Sequence, residues 1–419
     1  MASFNPFRRR PSPPAQAKAL APAPGAATWL LSSGAHWGAR SYHRLAEEGY
    51  RRNVVAHRCV RLIAECAAAV PLTVTAGTTR AADAHPVRTL LAEPNPQTGG
   101  TAFLETVHAQ LQIGGNAFIE AMAGADGRPR ALYPLRPDRV RVVPGPAGWP
   151  RAYDYQVDGR TRRLPVAEAR GRRPVLHLKS YHPLDDQYGL SPLDAAAYGV
   201  DVHNAAVAWN KGLLDNAARP SGALVFEPGD GRPATLSEDQ VQRLKAELAE
   251  QYQGGGNAGR PFLLEGGLKW QPMALTPADM DFMELKHSAA RDIALAFGVP
   301  PMLLGIPGDN TYANYQEANR AFWRLTLLPL VARTLDSLSR WLSGWYGERL
   351  TLAADRNALP ALAADQEALW RRVAAAPFLT VNEQRAQLGL DPLPGGDRLP
   401  DAPANTDPGT APGTAPGAD

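Results

Sequence analysis

The stretch Tyr188-Gly189-Leu190-Ser191-Pro192-Leu193-Asp194 divides the chain into two kinds of sequence. Ser191 can cap a helix, and Pro192 suits a first helical position, where its missing N–H has no partner to lose. Asp194 follows three residues after the cap. The pattern predicts a helix from here to about Ala217, broken by Ala218-Arg219-Pro220-Ser221-Gly222. Upstream, short strands lie between Gly and Pro turns: 117–121, 140–143, 153–157 and 175–178. They read as a small antiparallel sheet. Before them, Val55, Cys59, Leu62, Ile63 and Cys66 recur at helical spacing up to Pro71, and 72–75 is a short strand. A second helix, 101–113, stops at Gly114-Gly115. Strands grouped ahead of helices argue for an α+β fold.

Downstream, 223–226 is a strand, and Ser237 with Gln240 forms a capping box for a charged helix to Gln253. Segments 262–265 and 268–270 read as a hairpin around Gly266-Gly267. A helix from Thr276 runs to Phe297, where Gly298-Val299-Pro300-Pro301 halts it. Gly305 to Asn314 is a polar loop, and a long helix follows from Tyr315 to Tyr346. Pro329 lies inside that helix, so a kink is expected there. Trp323, Trp341 and Trp345 on it are candidates either for contact between subunits or for packing within one. Thr380 with Glu383 opens a short helix to Leu388.

Composition narrows the class. The chain has 419 residues, 44% of them hydrophobic, enough for more than one core. Two cysteines exclude a disulfide framework. Arg8-Arg9-Arg10 has no apolar run behind it, so the N-terminus is no secretory signal, and no apolar run of about 18 residues predicts a membrane helix. A soluble intracellular protein is expected. Charge is segregated: residues 1–61 sum to +8, 62–127 to −4, 128–173 to +8 and 174–419 to −9. The second basic block is either a solvated face, in a chain where Arg outnumbers Lys 38 to 6, or a contact for phosphate or a partner.

Catalytic motifs are missing. Gly254-Gly255-Gly256-Asn257-Ala258-Gly259 matches a dinucleotide string, but a helix precedes it and a strand follows, the reverse of what a pyrophosphate site needs. There is no phosphate loop, no G-x-S-x-G elbow and no H-E-x-x-H. His177, His182, Asp185 and Asp186 fall within ten residues and form the one candidate for a metal-dependent hydrolase, although their spacing matches no standard ligand set. His57, Cys59 and Cys66 share a helix and read as core residues. No metal or cofactor is expected, and a chain this long without a recognisable catalytic constellation leans toward binding or assembly rather than an enzyme.

In order along the chain, a further series stands out. It runs Leu90-Leu91-Ala92-Glu93-Pro94-Asn95-Pro96, Gly114-Gly115-Asn116-Ala117-Phe118, Tyr188-Gly189-Leu190-Ser191-Pro192-Leu193 and Asn216-Ala217-Ala218-Arg219-Pro220-Ser221-Gly222. It continues with Leu264-Glu265-Gly266-Gly267-Leu268-Lys269-Trp270, Ile293 through Gly305, Tyr312-Ala313-Asn314-Tyr315, Thr326-Leu327-Leu328-Pro329-Leu330 and Leu379-Thr380-Val381-Asn382-Glu383. Each piece is weak alone. The ordered series resembles the portal proteins of tailed bacteriophages, in the short lineage of long-tailed phages and gene transfer agents, and it covers about residues 50–397.

The resemblance implies a ring, usually of twelve subunits, at one capsid vertex. Double-stranded DNA would be packaged and ejected through it, and the ring would dock first the packaging ATPase (large terminase) and then the head–tail adaptor. It implies contact with the major capsid protein, assembly in the bacterial cytoplasm, residence in a virion or phage-like particle, and no membrane. In those terms 1–40 is a disordered arm, 41–190 an α/β wing, 191–219 a helix leading to stem and clip, and 220–271 a small α/β clip inserted between helices. Then 272–304 is a stem helix, 305–314 the channel loop, 315–347 the long kinked helix, 348–398 a helical crown and 399–419 a disordered tail. Asp309, Asn310, Thr311 and Tyr312 would meet DNA, and Arg232, Glu238, Arg243, Lys245 and Arg260 would dock partners. Another head–tail connector protein is the remaining alternative, which the chain's length disfavours.

Overall fold

A computed structural model describes residues 41–399 apart from 78, 81–84, 147, 169–170, 216–221, 227–236, 244–245, 247–267, 273–281 and 309–310. The arm 1–40, nearly all of the tail and most of the expected clip therefore lie outside the described residues. No described helix is long and apolar enough to cross a membrane.

Helix α1 (Val54–Ala68) starts at Asn53, whose Oδ1 accepts the N–H groups of Val55 (3.1 Å) and Ala56 (2.9 Å). Ala56, Cys59, Val60 and Ile63 are fully buried and Ala67 nearly so, one stripe of a 3.6-residue repeat. Pro71 ends the helix region, and β1 (Leu72–Ala76) with β2 (Thr79–Arg80) follows. Helix α2 (Pro86–Ala92) leads to α3 (Gly100–Gly114), which packs along α1 through Phe103, Val107 and Leu111.

Six strands then build two antiparallel sheets where one was expected. Strands β3 (Asn116–Ala123), β4 (Pro129–Leu135) and β8 (Val175–Lys179) take the order β4-β3-β8. Strands β5 (Val140–Pro144), β6 (Pro150–Val157) and β7 (Arg160–Pro165) form a meander. Phe118, Leu135, Val142, Tyr153, Leu164 and Val175 fill the space between the sheets. A bidentate pair joins them: Arg162 donates to both carboxylate oxygens of buried Glu120, at 2.7 and 2.5 Å. Arg163 does the same for Asp154 on the neighbouring strand (2.7 and 2.8 Å). Part of the basic block is thus occupied in structure.

Ser191 caps a single turn, Pro192–Ala195, with its Oγ accepting the Asp194 N–H at 2.9 Å. The expected helix is interrupted at Ala196, and α4 (Ala197–Asp215) runs on from there. Strand β9 (Gly222–Phe226) pairs antiparallel with β10 (Leu268–Pro272). The described partner of the 268–272 strand is therefore β9, and the 262–265 half of the expected hairpin lies outside the described residues. Helix α5 (Phe282–Phe297) returns along α4, burying Ala289, Ile293 and Phe297.

After the 298–311 connection come α6 (Tyr312–Phe322), a π-helical stretch (Trp323–Leu327) and α7 (Leu328–Tyr346). The irregularity lies in the turn before Pro329. A proline cannot donate to the carbonyl four residues back and its ring crowds that carbonyl, so the preceding turn widens. Thr326 uses the distortion to donate to Gly298 O at 2.7 Å. Trp341 and Trp345 are buried within the subunit, both indole N–H groups donating to Arg173 O (2.7 and 3.1 Å). Trp323 packs against the same core.

Residues 348–398 are not all helical. Leu350–Ala354 is strand β11, antiparallel to β1 with Val74 opposite Leu352. Its burial alternates, Leu350 and Leu352 in and Thr351 and Ala353 out, the signature of a half-buried strand. Beyond it lie α8 (Ala363–Ala374) and α9 (Val381–Gln387), the latter opened by the Thr380/Glu383 capping box.

Candidate functional site

The connection from α5 to α6 is bolted at its entry. Val299, 2% exposed, donates to Ala294 O (2.9 Å), and Pro301–Leu304 form one 3-10 turn. Ile306 is buried against Ala290 and Ala294 of α5, and Arg291 Nη2 donates to Pro307 O at 2.6 Å. Asp309 and Asn310 lie outside the described residues.

The exit is also defined. Thr311 Oγ1 accepts the Asn314 N–H (3.2 Å), which makes Thr311 a helix cap and Tyr312 the first residue of α6. The helix thus begins three residues earlier than Tyr315, and the expected loop 305–314 shortens at its end. The polar run around Asn314 had masked the Thr-x-x-Asn start. Tyr312 is 79% exposed, its hydroxyl accepting from Gln316 Nε2 at 3.0 Å. Every residue from Thr311 to Glu317 is exposed.

Of the five docking candidates, Glu238 and Arg243 are described, both exposed on one helical stretch. Its start is the capping box expected from sequence: Gln240 N–H to Ser237 Oγ at 3.3 Å and Ser237 N–H to Gln240 Oε1 at 2.9 Å. Arg232, Lys245 and Arg260 lie outside the described residues.

The His177 cluster does not assemble. His177 stacks on Phe118 (ring centroids 4.2 Å apart), and burial, with Lys179 adding, lowers its pKa to about 3. His182 Nδ1 accepts the Leu184 N–H, and Asp185 Oδ1 accepts the N–H groups of Gln187 and Tyr188. Among the described residues no group of three or more His, Cys, Asp or Glu side chains could hold a metal ion. His57 stacks on Tyr50, and burial pushes the Cys59 thiol up to about 12, so neither offers a nucleophile.

A junction that sequence reasoning missed lies at Asn116. Its Oδ1 accepts from His177 Nε2 (3.0 Å) and from the Gly189 N–H (2.8 Å), and its Nδ2 donates to Gly114 O (2.6 Å) and Gly189 O (3.2 Å). The His177 tautomer carrying hydrogen on Nε2 satisfies this arrangement. Two of the quoted motifs, 114–118 and 188–193, therefore meet in space. They meet backbone to backbone: a Cβ on Gly115 would lie 2.5 Å from Gly189 O, and one on Gly189 would lie 2.2 Å from Gly115 O. Gly115 also needs its φ of +67° to end α3. Asparagine directly after a Gly-Gly helix stop was the available signal.

A second polar joint ties α1 to α4. Asn53 Nδ2 donates to His203 Nδ1 (3.2 Å) and Asn204 Oδ1 (3.0 Å), and Asn204 Nδ2 donates to Glu48 O (3.0 Å). This second joint holds α4 against the upstream body.

Comparison with known proteins bears on most of the chain. The family model of the phage portal protein matches residues 54–389. An uncharacterized protein of Rickettsia bellii (strain RML369-C) is 43% identical over 357 residues, 85% of this chain and 91% of its own. Among solved structures, a chain in the neck of an empty gene transfer agent particle, computed with C6 symmetry, superposes with a TM-score of 0.67 at 49% identity, covering 88% of this chain and 100% of that one. A chain in the neck of the native particle, computed with C12 symmetry, gives 0.64 at 49% identity over 87% and 99%.

Proposed function

This chain belongs to the phage portal protein family, and from that premise we propose that it works as the conduit ring of a phage or gene transfer agent particle. The likeness to the neck chain over that chain's full length carries the reading. Twelve copies would form the ring, in keeping with the symmetry used for the related native neck. The role is structural, and the subunit carries out no reaction of its own.

In this reading the sheets and helices of 41–190 form the wing, and α4 and α5 the stem around a clip at 220–271. The channel element is the connection 305–311 together with the first turn of α6. Residues 305–312 contain no Lys or Arg. Sequence-independent DNA affinity comes mainly from cations that neutralise phosphates and release counterions. A wall without them lets a duplex slide. Tyr312 and the neighbouring Asp309, Asn310 and Thr311 would offer polar, reversible contact. The net −9 of residues 174–419 acts in the same direction.

Glu238 and Arg243, with Arg232, Lys245 and Arg260, would form a charged docking face used in turn by the packaging ATPase and the head–tail adaptor. Mixed charges suit successive partners, since rim charges set encounter rate and register more than affinity. Electron microscopy of the purified protein, viewed down the symmetry axis, tests the reading. A ring with an open centre is expected, and a uniform folded monomer under all assembly conditions would overturn it.

A further inference from the structure

The segment read above as DNA-facing grips α5 at two consecutive residues. The turn Pro301–Leu304 ends at Gly305, whose φ of +73° lies in the left-handed region that glycine tolerates. Ile306 then packs on Ala290 and Ala294, one helical turn apart on α5, and its N–H donates to Pro301 O at 3.2 Å. These three residues form a small cluster apart from the main core, with Val55 and Leu304 at its margin. The second grip comes from Arg291, which lies between the two alanines in sequence. Its Nη2 donates to Pro307 O at 2.6 Å, and a Cβ on Gly308 would have that same nitrogen as its one neighbour within 4 Å, at 3.8 Å.

Nothing competes for this guanidinium. No Asp or Glu lies three or four residues away on α5, and Arg291 makes no ion pair among the described residues. An exposed arginine with no carboxylate gains little by leaving water. One that turns its rigid fork onto a single main-chain carbonyl fixes where that carbonyl sits.

The two ends of the connection differ from its middle. The entry is held by other bonds, Val299 N–H to Ala294 O and Thr326 Oγ1 to Gly298 O. At the exit, Thr311 to Glu317 are all exposed. Removing the Arg291 side chain therefore acts on 305–308 and leaves the entry in place.

We propose that Arg291 is a positioning residue of the conduit. With Ile306 it makes the DNA-facing segment ride on α5, so that every subunit presents that segment at the same place. Arg291 acts through the Pro307 carbonyl and touches no DNA itself. The proposal rests on the reading of 305–312 as DNA-facing.

Hydrogen exchange of the full chain in rings, read together with DNA retention by particles, tests it. Arg291→Met removes the donor and keeps an apolar stem on an exposed helix position. Its Ile306 amide should exchange about tenfold faster than in the wild type, while α1 and α3 amides and the urea midpoint stay unchanged. Particles carrying it should retain less DNA. Arg291→Lys keeps a cationic donor and should restore both. Unchanged Ile306 exchange in Arg291→Met would overturn the proposal, and if retention fell all the same Arg291 would be a direct phosphate contact. Faster exchange with normal retention would also overturn it where Asn310→Ala with Tyr312→Ala loses DNA. Normal retention in that pair as well would instead overturn the DNA-facing reading beneath it.

Discussion

Ser339 on α7 accepts the backbone N–H of Leu352 on β11 at 2.8 Å with the same hydroxyl oxygen that donates to Leu335 O at 2.6 Å. One helical turn later Ser343 repeats the arrangement, accepting the Leu350 N–H at 2.9 Å and donating to Ser339 O at 2.6 Å. β11 is an edge strand whose other side pairs with β1. An unpaired edge is a template for unwanted strand addition. Here two serines at helical spacing stand in for a neighbouring strand.

Replacing both serines by Ala leaves two strand N–H groups, at Leu350 and Leu352, without partners. A loss of about 2–6 kcal/mol is expected, from about 1–3 kcal/mol per unsatisfied buried donor. The double variant should also aggregate more readily than the wild type at equal unfolded fraction. Denaturant midpoints and light scattering check both.

Asn116 makes four side-chain hydrogen bonds, so Asn116→Ala strands the Gly189 N–H and the His177 ring N–H together. A destabilisation of about 2–4 kcal/mol is expected. Asn116→Asp should be nearly as damaging, because it keeps the acceptor but loses both donations and buries a charge. Equal stability of Asn116→Ala and wild type in urea titration would contradict the geometry.

His177 is held neutral in the native chain, its pKa lowered to about 3 from an ordinary 6.5. Below pH 6.5 the unfolded chain therefore binds a proton that the native chain refuses. This contribution to stability is fully present above about pH 6.5 and is lost as pH falls toward 3. Within that window the loss is about 1.4 kcal/mol per pH unit. His177→Gln keeps a donor for Asn116 and cannot titrate, so its stability should fall less steeply. Buried His108, lowered to about 4 by burial and by Arg333, keeps a second acid-sensitive slope in both proteins. Urea midpoints at pH 7.5, 6 and 5 give the comparison.

Tyr312 is 79% exposed and its described hydrogen bond, from Gln316, stays within its own helix, so Asn310→Ala with Tyr312→Ala should leave folding and rings unchanged. Particles carrying the pair should package or retain less DNA. A normal yield of filled particles would remove the channel role from this segment.

The helices announced themselves through caps and stripes: Asn53, Ser191, Ser237 and Thr380 all begin helices as their residue types suggest. The strands with no outward signal did not. β4 carries Pro129 and Pro134 and reads as turn, while β7, Arg-Thr-Arg-Arg-Leu-Pro, reads as solvated loop because it is an edge strand with one buried side chain. β11 was hidden because its partner β1 lies far back in the chain, a pairing no local pattern encodes. The segment proposed to line the channel was legible as a polar break between helices. Its anchorage through Ile306 and Arg291 was not, since both contacts depend on how α5 packs.

Gly115 and Gly189 bring main chain against main chain with no side chain between them. Side chains are the soft part of a protein joint, because they can change rotamer as two elements slide. This joint has none to yield. The sheet that begins at Asn116 and the turn that begins at Ser191 must therefore swing together as a single lever.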